Sequence, residues 1–227
     1  MAPPALVIFD CDGVLVDTES LANQRLAEIL TEHGLPITMA ESRKRFMGRT
    51  MKSVRDIVLA ENDIDLGADF ADRWLDELPS IFANGVEAIP FVREVILYLN
   101  AIDTPYCVAS SAKVEKMHMT LGATGLLPLV EYVLFSAWMV ERGKPAPDLF
   151  LHAAETMGQE DDNCIVVEDS VNGVLAGKAA GFHVIGFTGG SHCRKGHGDM
   201  LEEAGADLVI DSHAELSEWI EAELQPA

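Results

Sequence analysis

The chain is short of positive charge, of paired cysteines and of long apolar runs. Its 16 Lys and Arg face 37 Asp and Glu, a formal net charge of −21 over 227 residues. Such a surface repels nucleic acid and anionic membranes, so neither is an expected partner. It also repels anionic substrates unless a pocket supplies its own cations. No apolar run approaches the ~20 residues that span a bilayer. Met1-Ala-Pro-Pro lacks the basic start and long apolar stretch of a signal peptide. The four cysteines (Cys11, Cys107, Cys164 and Cys193) show no pairwise spacing, and three lie in or beside apolar strand-like runs, as reduced core cysteines do. These features predict a cytoplasmic protein. Internal repeats and low-complexity tracts are missing as well.

What is present centres on residues 5–18, Ala-Leu-Val-Ile-Phe-Asp10-Cys-Asp12-Gly13-Val-Leu-Val-Asp-Thr. Five apolar residues run unbroken into two carboxylates and a glycine. A short run of this kind reads as a strand buried on both faces of a parallel sheet. Asp10 and Asp12 then stand at its C-terminal end, where open α/β sheets bind ligands. Two acids this close repel each other, so the site calls for a cation, a shared proton, or both. An EF-hand loop fits poorly, because its glycine comes sixth and a helix precedes it. A plain polar turn remains open on this stretch alone.

After Thr18 the pattern turns helical. Leu21, Ala22, Arg25, Leu26, Ile29 and Leu30 follow amphipathic spacing, ended near Gly34 and Pro36. Further helices are predicted over 40–46, 51–61 and 68–82, the last with Phe70, Trp74, Leu78 and Phe82 at four-residue steps. A helix over 91–100 and a strand over 105–109 follow. Asp10 and Pro105 are 95 positions apart, whereas a crossover needs only about a dozen residues. The surplus is too long and too helical for a loop, so residues 18–85 are read as an inserted all-helical cap and residues 1–17 with 86–227 as the core. Beyond Ser111, strands over 132–136, 164–168, 182–187 and 208–210 alternate with helices over 113–121, 148–157 and 171–180, before a last helix carrying Leu216, Trp219 and Ile220. The fold class is therefore α/β: a Rossmann-like parallel sheet with helices on both faces.

Polar residues recur where core strands end: Asp10 and Asp12 on the first, Ser110 and Ser111 on the second, Glu168, Asp169 and Ser170 on a later one. Right-handed crossovers bring such ends onto one rim. Lys144 lies in Arg142-Gly-Lys-Pro-Ala-Pro-Asp148, a loop stiffened by its prolines. Hard oxygen ligands from Asp10, the Asp12 region and Asp169, completed by waters, suit Mg²⁺. Lys144 and Ser110 would then face phosphoryl oxygens.

Phe9-Asp10-Cys-Asp12-Gly-Val-Leu-Val-Asp17-Thr18, Val108-Ala-Ser110-Ser111, Gly143-Lys144-Pro-Ala-Pro-Asp148 and Ile165-Val-Val-Glu168-Asp169-Ser170-Val-Asn-Gly173 occur in this order. They resemble the four motifs of the haloacid dehalogenase superfamily, in the branch with a helical cap after the first motif. That branch holds phosphoglycolate phosphatase, β-phosphoglucomutase and sugar-phosphate phosphatases. The resemblance covers nearly the whole chain. It implies an Asp10 nucleophile forming an aspartyl-phosphate, with Asp12 as general acid and base. It also implies Mg²⁺ on Asp10, Asp12 (through its carbonyl), Asp169 and Glu168 (directly or through water). Ser110 and Lys144 would hold the transferring phosphoryl group, with Gly13 and Ser111 lining the phosphate site. The implied partner is a small phosphorylated metabolite, and the chain is expected as a monomer or weak homodimer.

Within that resemblance, a histidine usual in the mutase branch is Ala22 here, and the mutase's cap arginine falls on Met51. Both departures favour hydrolysis. The halide-releasing branch lacks the Asp-x-Asp pair. Residues 139–157 resemble the 6-phosphogluconate phosphatase-like subgroup. In the cap, Gly48 and Arg49 form the candidate specificity loop, Arg49 being suited to grip a carboxylate or second phosphate in bidentate fashion. Cap closure would exclude water. A receiver-type phospho-acceptor domain shares the acids, the hydroxyl and the lysine but lacks the helical insertion. In Gly189-Gly-Ser-His192-Cys193-Arg-Lys-Gly-His197-Gly198, three zinc-type ligands fall short of the four of a structural site. That segment is read as a mobile rim loop.

Overall fold

The computed structural model describes residues 6–46, 51–83, 85–159 and 163–224. Strand β1 (Leu6–Phe9) is buried along its whole length, as its unbroken apolar run requires. A two-residue strand β2 (Val16–Asp17) follows, then helices α1 (Glu19–Glu32), α2 (Met39–Phe46), α3 (Met51–Asn62) and α4 (Phe70–Ala83). Strand β3 (Glu87–Ala88) pairs antiparallel with β2, Val16 opposite Ala88. Then come α5 (Val92–Ala101), β4 (Tyr106–Ser110), α6 (Val114–Ala123), α7 (Leu127–Val130), β5 (Leu134–Ser136), α8 (Asp148–Thr156), β6 (Cys164–Glu168), α9 (Val171–Ala179), β7 (His183–Phe187), α10 (His197–Glu203), β8 (Leu208–Ile210) and α11 (His213–Glu223).

Six strands form one sheet in the order β5-β4-β1-β6-β7-β8, every pairing parallel. The order runs outward from β1 in both directions. The crevice beyond the carboxyl ends of β1, β4 and β6 is thus the topological switch point, where such sheets bind ligands. Alternate residues face opposite layers. Leu6, Ile8, Cys107, Ala109, Cys164, Val166 and Val184 share a core with Leu149, Phe150, Ala153 and Ala154 of α8, Val174 and Ala176 of α9, and Leu201 of α10. On the other face Phe9 and Phe187 meet the His213 ring of α11, with centroids 6.5 and 4.7 Å away. Both faces are therefore covered, as a parallel sheet requires.

The chain divides into two units, residues 1–17 with 87–227, and residues 18–86. Among its described residues the second unit is all helical. It has its own core of Leu26, Ile29 and Leu30 from α1, Phe46 from α2, Val54 and Val58 from α3, and Phe70 and Trp74 from α4. Arg25 ties α1 to α4 through two nitrogens on the Glu77 carboxylate, at 3.1 and 3.2 Å. Among the described residues no helix is long and apolar enough to cross a membrane.

His213 was not singled out by the sequence reading. It is fully buried, its Nε2 2.7 Å from the Val14 carbonyl, and burial lowers its pKa to about 4. The unfolded chain therefore takes up a proton near pH 6.5 that the folded chain refuses until about pH 4. This contribution to stability is complete above pH 6.5 and is lost as the pH falls towards 4. Its loss amounts to about 3 kcal/mol, at 1.36 kcal/mol per pKa unit. Urea unfolding of the wild type and of His213→Gln at several pH values isolates it, because the acids that titrate in the same range are common to both. The stability difference between the two proteins is expected to shift by that amount from pH 7 to pH 4; a constant difference would contradict the assignment.

Candidate active site

The end of β1 turns sharply. Asp10 N donates to Val167 O of β6 at 2.9 Å, and Cys11 O accepts from Leu15 N and Val16 N at 2.9 and 3.1 Å. Gly13 sits at φ +84°, and a Cβ there would overlap Asp169 Oδ2 and press on the His192 ring. Only glycine permits both that backbone and that approach. Gly173 at the start of α9 makes the same allowance for Glu168, whose carboxylate occupies the space a side chain would need.

Lys144 is the cation at the centre. Its side chain is 4% exposed, and its Nζ donates to Asp10 Oδ1 at 2.5 Å, Glu168 Oε1 at 2.7 Å and Ala109 O at 3.0 Å. The loop carrying it is pinned by a bidentate pair between Arg142 and Asp148, at 2.6 and 3.0 Å. Burial would lower the lysine's pKa, but Asp10 and Glu168 outweigh it and hold the ammonium above its usual range. Burial pushes the Asp10 carboxyl up to about 7, against the pull of Lys144. Burial likewise drives Asp169 well up, reinforced by Glu168 and Asp10. Glu168 Oε2 accepts from Ser170 N and Oγ at 2.9 and 3.1 Å.

Asp12 reaches a partner that sequence reasoning missed. Lys116 of α6 donates to its Oδ2 at 2.8 Å, across 104 positions of sequence. The repulsion expected between Asp10 and Asp12 is thus met by two lysines of the protein, one foreseen and one not. Ser110 is buried at the end of β4, where its Oγ accepts from Ala112 N at 3.1 Å. Ser111, in the same loop, is exposed. Gly48 and Arg49 lie outside the described residues.

The Gly/His segment contacts the site at three points. Ser191 Oγ donates to Asp17 Oδ1 at 2.8 Å. His192 Nε2 lies 2.9 Å from Asp169 Oδ2, and His197 Nε2 lies 2.6 Å from the Asp169 carbonyl. These contacts bring the rim segment against Asp169 from two sides. No sequence periodicity could have shown this; the one signal was the clustering of histidines in a glycine-rich stretch.

Asp10, Glu168 and Asp169 each offer a carboxylate oxygen within 4.8 Å of the others, all three buried. With Asp12, four carboxylates face two ammonium groups. The all-oxygen donor set and the raised carboxyl pKa values both fit a hard divalent cation, which would neutralise the remaining negative charge.

A family model described as haloacid dehalogenase-like hydrolase matches residues 7–187. The chain is 35% identical to 6-phosphogluconate phosphatase of Escherichia coli over 187 residues, 82% of this chain and 83% of that one. It is 31% identical to hexitol phosphatase A of the same organism, covering 78% and 80%. A HAD family hydrolase from Deinococcus radiodurans, solved with bound phosphate and sodium, superposes over the full length of both chains with a TM-score of 0.87 and 33% identity. The parallel sheet, the acids at its switch point and these matches agree: the chain belongs to the haloacid dehalogenase-like hydrolase family.

Proposed function

We propose that the protein is a Mg²⁺-dependent phosphatase acting on a small phosphorylated metabolite, a sugar phosphate or sugar-acid phosphate. The observation that carries this reading is the clustering of the Asp10, Glu168 and Asp169 carboxylates at the switch point, the first two bonded to one buried lysine, Lys144. The names of the two phosphatase relatives support the substrate class.

A carboxylate oxygen of Asp10 attacks phosphorus as the ester P–O bond breaks, and Asp12 gives its proton to the leaving alkoxide. A water then attacks the aspartyl-phosphate, Asp12 takes its proton, and the P–O bond to Asp10 breaks, restoring the carboxylate. Lys144 screens Asp10 from the incoming anion and, with the Ser110 hydroxyl, holds the phosphoryl oxygens. Lys116 keeps the Asp12 side chain in place. Asp10, Asp169, the Asp12 carbonyl and Glu168 (directly or through water) would hold Mg²⁺, which supplies positive charge at the phosphoryl group when bound. The two lysines offset only part of the charge of the four carboxylates, so the difficulty raised by the net charge is met when Mg²⁺ adds its own positive charge.

The test is phosphate release from p-nitrophenyl phosphate and from a panel of hexose phosphates, hexitol phosphates, 6-phosphogluconate, phosphoglycolate and β-glucose 1-phosphate. Release is expected only with Mg²⁺ present, and fastest on one sugar or sugar-acid phosphate. A pure, folded sample inert toward the whole panel would overturn the reading, and conversion of β-glucose 1-phosphate to its isomer without phosphate release would replace it with a mutase.

A further inference from the structure

We propose that His192, Cys193 and His197 form a binding site for a thiophilic divalent cation of the Zn²⁺ type, separate from the oxygen-lined acid cluster and adjoining it at Asp169. One donor atom from each of the three lies within 4.8 Å of the other two. His192 Nε2 is 3.4 Å from Cys193 Sγ and 2.9 Å from Asp169 Oδ2. With Zn–S near 2.3 Å and Zn–N near 2.0–2.1 Å, two ligands of a tetrahedral ion lie about 3.5 Å apart. The sulfur and the imidazole nitrogen therefore already stand at the separation a shared ion imposes.

The backbone explains why residues adjacent in sequence converge. Cys193 N donates to Gly190 O at 3.0 Å, and His197 N donates to Arg194 O at 2.8 Å. These two turns fold the segment back on itself. The imidazoles meet edge to face, with centroids 5.6 Å apart and planes at 85°, which holds the two rings against each other beside Cys193. All three side chains are half-buried, whereas Cys11, Cys107 and Cys164 are buried; Cys193 is the cysteine an ion could reach. One thiolate and two imidazoles select Zn²⁺ over Mg²⁺, and three protein ligands with a fourth position open differ from the closed four-ligand set of structural zinc.

Occupancy has a consequence that rests on the proposed phosphatase reading. His192 and His197 each contact Asp169, one at its carboxylate and one at its carbonyl. An ion that recruits the imidazoles, or takes the Asp169 carboxylate as its fourth ligand, draws Asp169 away from Asp10 and Glu168. Zn²⁺ at this site therefore inhibits Mg²⁺-dependent turnover.

The experiment uses the full chain, stripped by a chelator and kept reduced. Zn²⁺ is titrated calorimetrically with Mg²⁺ in excess, and Co²⁺ serves as a spectroscopic probe. One Zn²⁺ per chain is expected, together with a thiolate-to-cobalt charge-transfer band. Cys193→Ser should abolish the band, and both it and His197→Gln should weaken Zn²⁺ binding roughly tenfold or more, with Cys193→Ala as a second variant if the serine protein melts early. Asp10→Asn and Glu168→Gln should bind Zn²⁺ as the wild type does. The proposal is overturned if no stoichiometric Zn²⁺ binds, or if binding survives Cys193→Ser and is lost with Asp10→Asn, which would place the ion in the acid cluster. In the activity arm, Cys193→Ser should turn over with Mg²⁺ alone and resist Zn²⁺; inhibition unchanged in that variant would sink the regulatory part. A chain that binds Zn²⁺ through Cys193 yet releases no phosphate would refute the phosphatase reading and leave the zinc site standing.

Discussion

Asp10→Asn is expected to lose phosphate-releasing turnover by on the order of 10⁶-fold, the scale on which a covalent nucleophile is missed, while keeping its fold. The amide oxygen of asparagine is a poor nucleophile, and its NH₂ presents hydrogens where the carboxylate presented a lone pair. Stability should respond in the opposite way to activity. Burial is the largest influence on the Asp10 carboxyl and opposes its charge, so removing that charge relieves a cost of folding. Lys144 keeps Glu168 Oε1 and the Ala109 carbonyl as acceptors at 2.7 and 3.0 Å, so no buried ammonium is left without partners. The melting temperature of the metal-free variant should equal or exceed that of the wild type. Turnover of p-nitrophenyl phosphate, thermal melts and intact mass, the last to detect deamidation back to aspartate, check the three parts. An active protein whose mass confirms asparagine would end the covalent mechanism.

The parts of this site that were legible in the sequence are those governed by local chemistry. Unbroken apolar runs ending in Asp10, Ser110 and Glu168 mark buried parallel strands, and the rule that ligands gather at strand carboxyl ends puts those residues on one rim. Lys144 is legible through its motif, with Gly143 before it and Pro145 and Pro147 after it. What escaped notice depends on tertiary contact alone. Lys116 reads as an ordinary helical lysine until α6 docks and brings it 2.8 Å from Asp12. His213 looked unremarkable on an amphipathic helix, yet it is fully buried against Val14. The β2–β3 ribbon has two residues a side, too few for any alternation to register. Helix α10 begins at His197 behind Gly196, at φ +86°, inside a stretch whose glycines signal only a loop. The candidate specificity residues Gly48 and Arg49 lie outside the described part of the second unit, and their role stands as a proposal from the sequence.

Lys144→Ala should damage both activity and stability, in contrast to Asp10→Asn, and the contrast follows from which charge is removed. Asp10 is one of two buried acids that bond the Lys144 ammonium; Lys144 is the cation both share. Without it Asp10 and Glu168 remain side by side, buried and facing no ammonium from this loop, and Ala109 O loses its donor. Breaking a buried ion pair by removing one partner costs about 3–5 kcal/mol, and a loss of that size is expected in urea unfolding of the metal-free protein. Part of the deficit should come from lost packing as well as lost charge, since Nζ also lies 4.8 Å from the centre of the Phe150 ring; Lys144→Met, which restores the stem, separates the two. Added Mg²⁺ should recover much of the stability, because a divalent cation among the acids replaces the missing positive charge. It should recover little of the activity, because the phosphoryl oxygens still lack the ammonium that held them. A metal-free Lys144→Ala protein as stable as the wild type would mean that the acids shed their charge without help. The ordering of this site around one lysine would then be wrong.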